Sequence, residues 1–181
     1  MIQVRIPGKE YYNERTEEFH TTKPCTLLLE HSLLSVSKWE SQTHRCFIDP
    51  FEEMTYEDTI SYIRCMVVSP KEVDPYVFYG LSNSAINSIL QYVQDPMTGT
   101  TFSSKDDKRH IRPKKMSSEE IYWQMVEYGI PFEAEKWHLN RLMTLLKICG
   151  IRNTPPKKRR DSGLGAIERA QRNRARQGKK R

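Results

Sequence analysis

The sequence predicts an α+β protein with a small N-terminal strand and hairpin region, a mainly helical body, a C-terminal αα-hairpin and a basic, extended tail. Three observations lead to this fold class. Apolar residues near the N-terminus alternate with polar ones, apolar residues from Thr55 onward recur at helical spacing, and residues 154–181 hold few apolar side chains. Because only 37% of the 181 residues are apolar, we expect a partner to complete part of the surface.

The predicted strands lie in the first forty residues. Residues 2–6, IQVRI, alternate in the manner of a strand, and Pro7-Gly8 ends it. Residues 9–23 are polar without a clear period, so no element is predicted there. Residues 25–39, CTLLLEHSLLSVSKW, contain two short apolar runs, which predict a hairpin or two strands.

Two helices are predicted next. Thr55 and Asp58 have capping-box spacing, and the apolar residues that follow place a helix from there to about Val68. Ser82 is the predicted N-cap of a second helix, which Asp95-Pro96 ends. Residues 98–116 are rich in small polar and charged residues and predict a linker or exposed loop. The predicted division is therefore a mixed domain at 1–97, this linker, a helical hairpin at 117–153 and a tail at 154–181.

The predicted helical hairpin begins at Ser117, which forms an S-x-x-E capping pattern with Glu120. Gly129 suits the end of its first helix, and Pro131 suits the first turn of the second. An apolar stripe marks the second helix: Leu139, Leu142, Met143, Leu146 and Cys149. Since the connection is short, we expect the helices to fold back on each other and to bury Trp123 or Tyr122 against this stripe.

The positive charge is concentrated in the tail. Residues 157–181 carry 11 Lys and Arg against two acidic residues, a net of +9, and because the whole chain carries +6, residues 1–156 carry −3. The tail's candidate contact residues are Lys157, Lys158, Arg159, Arg160, Arg169, Arg172, Arg174 and Arg176. They suit a solubilising tail, docking on an acidic protein surface, or nonspecific contact with nucleic acid.

We expect a soluble cytosolic protein, because no apolar run is long enough to cross a bilayer and the N-terminus lacks the pattern of a signal peptide. The four cysteines are scattered, which predicts reduced thiols and no disulfide. No phosphate-binding glycine motif and no nucleophile elbow occurs. We therefore predict no enzymatic activity and no cofactor.

Two patterns resemble metal sites without matching one. The first combines cysteine and histidine at spacings unlike common zinc sites: Cys25, His31, His44 and Cys46. The second is the pattern Glu-x-x-His, at Glu17–His20 and Glu135–His138, which is half of a di-iron motif without the further glutamates. We predict no metal, and we interpret His138 as a helix-surface or interface residue.

Beside the apolar stripe lies a mixed aromatic and polar group: Trp137, His138, Asn140 and Arg141. A solvated flank with one Trp on the core is one interpretation. The other is a partner-binding face for an amphipathic helix, because Trp and Arg are enriched in binding hot spots.

The stretch IYWQMVEYGIPFEAEKWHLNRLMTLLK resembles the closing helical hairpin of bacteriophage tail assembly chaperones. The resemblance covers about 30 of the 181 residues. It implies a non-enzymatic morphogenesis protein of the host cytoplasm that coats apolar helices of the tape measure protein and brings tail tube subunits to it. The implied partner-binding residues are Tyr122, Trp123, Phe132, Trp137 and Leu142.

Two alternatives stay open. The protein could be a minor structural component of the virion, in the tail, baseplate or head–tail junction, whose basic tail docks on neighbouring subunits. It could also be an accessory protein that binds nucleic acid through the tail. The sequence predicts no membrane partner and leaves self-association open.

Overall fold

A computed structural model describes residues 1–14, 17–102 and 115–153. Within these residues there are five strands: β1 (Ile2–Ile6), β2 (Glu10–Asn13), β3 (Glu18–Thr21), β4 (Cys25–Leu29) and β5 (Val67–Ser69). It has five α-helices in the described residues: α1 (Leu33–Thr43), α2 (Tyr56–Cys65), α3 (Asn83–Gln94), α4 (Ser118–Glu127) and α5 (Leu139–Asn153). Two 3₁₀ helices span Pro75–Gly80 and Phe132–Lys136. The α+β class predicted from the sequence is confirmed.

The main sheet is antiparallel, with strand order β1-β4-β5. Val4 pairs with Leu27 and Ile2 with Leu29, so the alternation of IQVRI places Val4 and Ile6 in the core. This confirms the predicted first strand. Strands β2 and β3 form a separate antiparallel hairpin, in the stretch for which the sequence predicted no element.

Helix α1 corrects the prediction of a second strand after β4. Leu33, Val36 and Trp39 lie buried on one face of the helix. Ser32 precedes the helix, and its N–H donates to the Ser35 hydroxyl at 3.0 Å. The alternation of apolar residues with serine imitated a strand, but the same residues also repeat at three-residue spacing, which a helix buries.

The next two helices begin where their caps predicted. The Thr55 hydroxyl accepts from the Asp58 N–H at 3.1 Å, and the Ser82 hydroxyl accepts from the Ala85 N–H at 3.2 Å. Helix α2 ends at Cys65, earlier than the predicted Val68, because Val67 to Ser69 form strand β5 beside β4.

The predicted domain at residues 1–97 and the predicted hairpin at 117–153 contribute to one hydrophobic core. Met1–Cys149 form one compact unit. Its core contains residues of the sheet and of the helices on either side of residues 98–116, among them Leu27, Leu29, Trp39, Ile63, Ile89, Ile121, Met125 and Leu142. Of the predicted linker, residues 103–114 lie outside the described part, while Met116 forms a bridge with Ile48.

The C-terminal helical hairpin differs from the predicted one. Pro131 caps the 3₁₀ helix Phe132–Lys136, and α5 begins only at Leu139. The connection is therefore longer than three residues, and α4 packs mainly on α1. Gly129 does follow the end of α4 with a φ of 65°, as predicted.

Among the residues that the structure describes, no helix combines the length and hydrophobicity needed to cross a membrane. The four cysteines are free thiols. The predicted tail, residues 154–181, lies outside the described residues.

Candidate partner-binding surface on helix α4

Helix α4 has two apolar faces. Ile121 and Met125 are fully buried and anchor the helix in the core. Trp123 and Val126, which are three residues apart, are 63% and 62% exposed. Large apolar side chains exposed together on a well-anchored element are typical of a surface that a partner covers.

Phe132 extends this exposed surface. It lies on the following 3₁₀ helix, is 57% exposed, and its ring centroid is 6.2 Å from that of Tyr122. The Tyr122 hydroxyl donates to Glu135 Oε2 at 2.9 Å, which fixes the tyrosine ring. Burial, together with this carboxylate, raises the pKa of Tyr122. We call Tyr122, Trp123, Val126 and Phe132 the α4 face.

Carboxylates accompany the α4 face. Glu119 and Glu127 are exposed on α4, and Glu133 is exposed beside Phe132. No other described residue forms an ion pair with Glu127 or Glu133. Backbone hydrogen bonding at the start of α4, with the Ser117 hydroxyl, lowers the pKa of Glu119. The surface therefore favours a partner that is apolar with basic flanks.

The mixed group at residues 137–141 does not form one face. Trp137 is 37% exposed, and the Arg141 guanidinium lies 4.6 Å from its ring centroid. Asn140 donates to the carbonyl oxygens of Val93 and Asp95 at 2.9 and 2.8 Å, so it fastens the end of α3. His138 is only 8% exposed, which corrects its interpretation as a surface residue.

Four of the five predicted partner-binding residues are exposed or partly buried, and the fifth, Leu142, is buried in the core. Trp123 and Phe132 are exposed, Tyr122 is partly buried beside them, and Trp137 borders α5. Leu142 is fully buried in the core and cannot contact a partner in this fold, so its assignment as a binding residue was wrong. The sequence predicted that Trp123 or Tyr122 would be buried against the α5 stripe. Trp123 is 63% exposed, and the partly buried Tyr122 contacts Phe132 and Glu135 of the 3₁₀ helix.

A buried polar cluster connects α1, α2 and α5 inside the core. His31 Nδ1 lies 2.5 Å from the Tyr62 hydroxyl, which is also 3.2 Å from the Ser35 hydroxyl. His138 Nε2 lies 3.0 Å from the carbonyl oxygen of Tyr92, and the two imidazole centroids are 5.0 Å apart. Burial and the neighbouring His138 lower the pKa of His31 to about 3. This cluster is enclosed by the core and positions secondary structure.

Some of the residues considered for metal binding are engaged otherwise. Glu135 accepts from Tyr122, and His20 Nε2 lies 2.6 Å from Asp74 Oδ2. Within residues 1–14, 17–102 and 115–153, no three or more His, Cys, Asp or Glu side chains are placed to hold a metal ion.

Sequence reasoning missed Val126. The signal was present, because Val126 follows Trp123 at the spacing that puts two side chains on one helical face.

Comparison of the chain with family models, with curated proteins and with solved structures found no match.

Proposed function

We propose that the protein is a non-enzymatic phage morphogenesis protein, a tail assembly chaperone that works in the host cytoplasm. Its α4 face binds an apolar helical segment of the tape measure protein, and the protein delivers tail tube subunits to that segment. The observation that supports this proposal is the exposure of Trp123, Val126 and Phe132 on elements anchored in the core. The tape measure protein and the tail tube subunits are named as partners because residues 121–147 resemble such chaperones.

A helical ligand suits the geometry of the α4 face. Trp123 and Val126 form a short apolar ridge along α4, and such ridges pack between the side chains of a second helix. The acidic side chains nearby, Glu127 and Glu133, would attract Lys or Arg on the flanks of that helix. An amphipathic helix with an apolar stripe and basic edges meets both requirements.

The test measures binding of a synthetic tape measure helix to the full chain by calorimetry. Trp123→Ala should weaken binding about 10-fold or more, since truncation of a central Trp in an interface costs about 2 kcal/mol or more. Phe51→Ala is the matched control, because Phe51 is 80% exposed and lies in the loop between α1 and α2. Equal losses in both variants, or no binding by the unmodified protein, would contradict the proposal.

Two further measurements separate the alternatives. Stoichiometric recovery of the chain from purified mature particles would identify a virion component, since a chaperone leaves the finished tail. A role in nucleic-acid binding depends on residues 154–181, which lie outside the described part. If that role holds, a chain ending at residue 153 should lose nucleic-acid retention together with its dependence on salt.

A further inference from the structure

A cationic groove lies on another part of the molecule, beside strand β5. Its larger cavity has a volume of about 400 Å³ and contains three cations in its lining: Lys38 of α1, Arg64 of α2 and Lys71 after β5. Among the residues that the structure describes, none that lines this cavity is a carboxylate. Like charges converge here without internal compensation, which favours an anionic ligand.

The three cations are available to a ligand. Each is exposed, and none forms an ion pair with another described residue. Gln42, which also lines the cavity, is a hydrogen-bond donor as well. The Cys65 thiol donates to Gln42 Oε1 at 3.5 Å, so the amide oxygen is occupied and the NH₂ group of Gln42 is left to donate.

A second cavity of about 260 Å³ continues the first. The two share Lys38, Cys65 and Val67, and the second adds Lys136 and one carboxylate, Glu30. We call the two cavities together the β5 groove. Val67 of β5, an edge strand in the sheet order β1-β4-β5, lines both cavities. Val67 and Val73 give the groove an apolar part.

We infer that the β5 groove binds an extended acidic peptide segment of a partner protein. The carboxylates of the segment pair with Lys38, Arg64 and Lys71, and its aliphatic side chains lie against Val67 and Val73. An extended chain can occupy two adjoining cavities beside an edge strand, because such edges accept added strands. The site is separate from the α4 face and does not depend on the proposed function.

The lining favours a peptide over a nucleotide. Phe78 is the one aromatic ring in the described lining of the larger cavity, and the Arg64 guanidinium already lies 5.2 Å from its centroid. A base therefore finds no free ring on which to stack. Glu30 in the second cavity would repel a polyphosphate, whereas a peptide can place a neutral or basic residue there.

The experiment uses the full chain and a short fluorescent peptide in which Glu and Val alternate, with binding followed by anisotropy. A peptide with Gln in place of Glu should bind at least about 10-fold more weakly, and added salt should weaken only the Glu peptide. Lys38→Gln combined with Lys71→Gln should lower affinity for the Glu peptide about 10-fold, since single exposed charge pairs contribute modestly. Arg5→Gln is the control, because Arg5 is exposed on β1 at the opposite edge of the sheet.

The outcomes decide between the ligands and between the two sites. Absence of binding, an equal loss in Arg5→Gln, or displacement of the peptide by ATP at lower concentration than by unlabelled Glu peptide would overturn the inference. Thermal unfolding of each variant verifies that it is folded. Trp123→Ala should leave binding of the Glu peptide unchanged, and the lysine variant should leave binding of the tape measure helix unchanged.

Discussion

The carboxylate of Glu40 accepts a hydrogen bond from the backbone N–H of Ser118 at 2.8 Å, although the two residues are far apart in the chain. Its second oxygen accepts from the Phe47 N–H, also at 2.8 Å. Ser118 is the first residue of α4, so the buried carboxylate lies at the positive end of that helix. Helix α1 thereby determines where the helix that carries Trp123 begins.

Glu40→Ala should destabilise the fold by about 2–4 kcal/mol, because it leaves two backbone N–H groups without their acceptor. Glu40→Gln should cost less, since the amide keeps one acceptor oxygen. Urea unfolding measures both. Glu53→Ala, at an exposed position, is the control, and a Glu40→Ala variant as stable as this control would refute the role of Glu40.

The stability of the fold should decrease as the pH falls below the ordinary pKa of histidine. Burial and the nearby His138 lower the pKa of His31 from 6.5 to about 3, so in this window the unfolded chain binds a proton that the folded chain does not. Acidification therefore favours unfolding, by up to roughly 5 kcal/mol over the whole window. Burial lowers the pKa of His138 as well, which adds an effect of the same sign.

Urea midpoints recorded from about pH 7 to about pH 5 test this expectation, because ordinary carboxylates stay ionised there. The control is His44→Asn, which replaces an exposed histidine with a residue that tolerates its positive φ of 54°. This variant should keep the full slope of stability against pH. A flat profile in the unmodified protein would show that His31 is not held neutral in the fold.

Gly129→Ala should destabilise α4 by about 1 kcal/mol. Gly129 has a φ of 65°, its N–H donates to the Val126 carbonyl, and the Ile130 N–H donates to the Met125 carbonyl, which is a Schellman motif. A Cβ at Gly129 would meet no atom within 4 Å, so the cost is conformational. Gly99→Ala, equally free of contacts and without a positive φ, should be neutral or slightly stabilising in thermal unfolding.

Leu142→Ala should lower the free energy of unfolding by about 2–5 kcal/mol, because the side chain is fully buried in the core. At a temperature where this variant is folded, its affinity for the tape measure helix should equal that of the unmodified protein. Calorimetry on the same preparation used for Trp123→Ala makes the comparison. Retained stability with lost binding would place Leu142 on the binding surface after all.

Local signals predicted most of the helices. The caps at Thr55, Ser82 and Ser117 depend on hydrogen bonds within three residues, so the sequence alone carries them. Strand β1 was also predicted from a local signal, because apolar and polar residues alternate along it and the apolar ones lie on its buried face.

The wrong predictions occur where distant residues decide. Helix α5 begins late because Ser32 and His138 form a bridge and the Leu139 N–H donates to the His31 carbonyl at 2.9 Å. This pairing holds Trp137 in an extended conformation. It therefore interrupts the continuous helix that was predicted to begin at Pro131. The residues close to Pro131 in the sequence give no sign of this pairing.

The candidate site was predicted in part. The resemblance of residues 121–147 implied Trp123 and Phe132 as binding residues, but it does not say which face of α4 is buried. Helix α4 buries Ile121 and Met125 against α1 instead of presenting Trp123 to α5. The four described cations that line the β5 groove, Lys38, Arg64, Lys71 and Lys136, are scattered along the chain and converge only through the fold.

The bridge between Ser32 and His138 also orders events during translation. Strand β4 and helix α1 leave the ribosome long before His138, so the polar cluster around His31 lacks the second imidazole until residue 138 has been synthesised. A nascent chain that pauses before residue 138 therefore leaves the His31 ring without the imidazole of His138 and the His31 carbonyl oxygen without the N–H of Leu139.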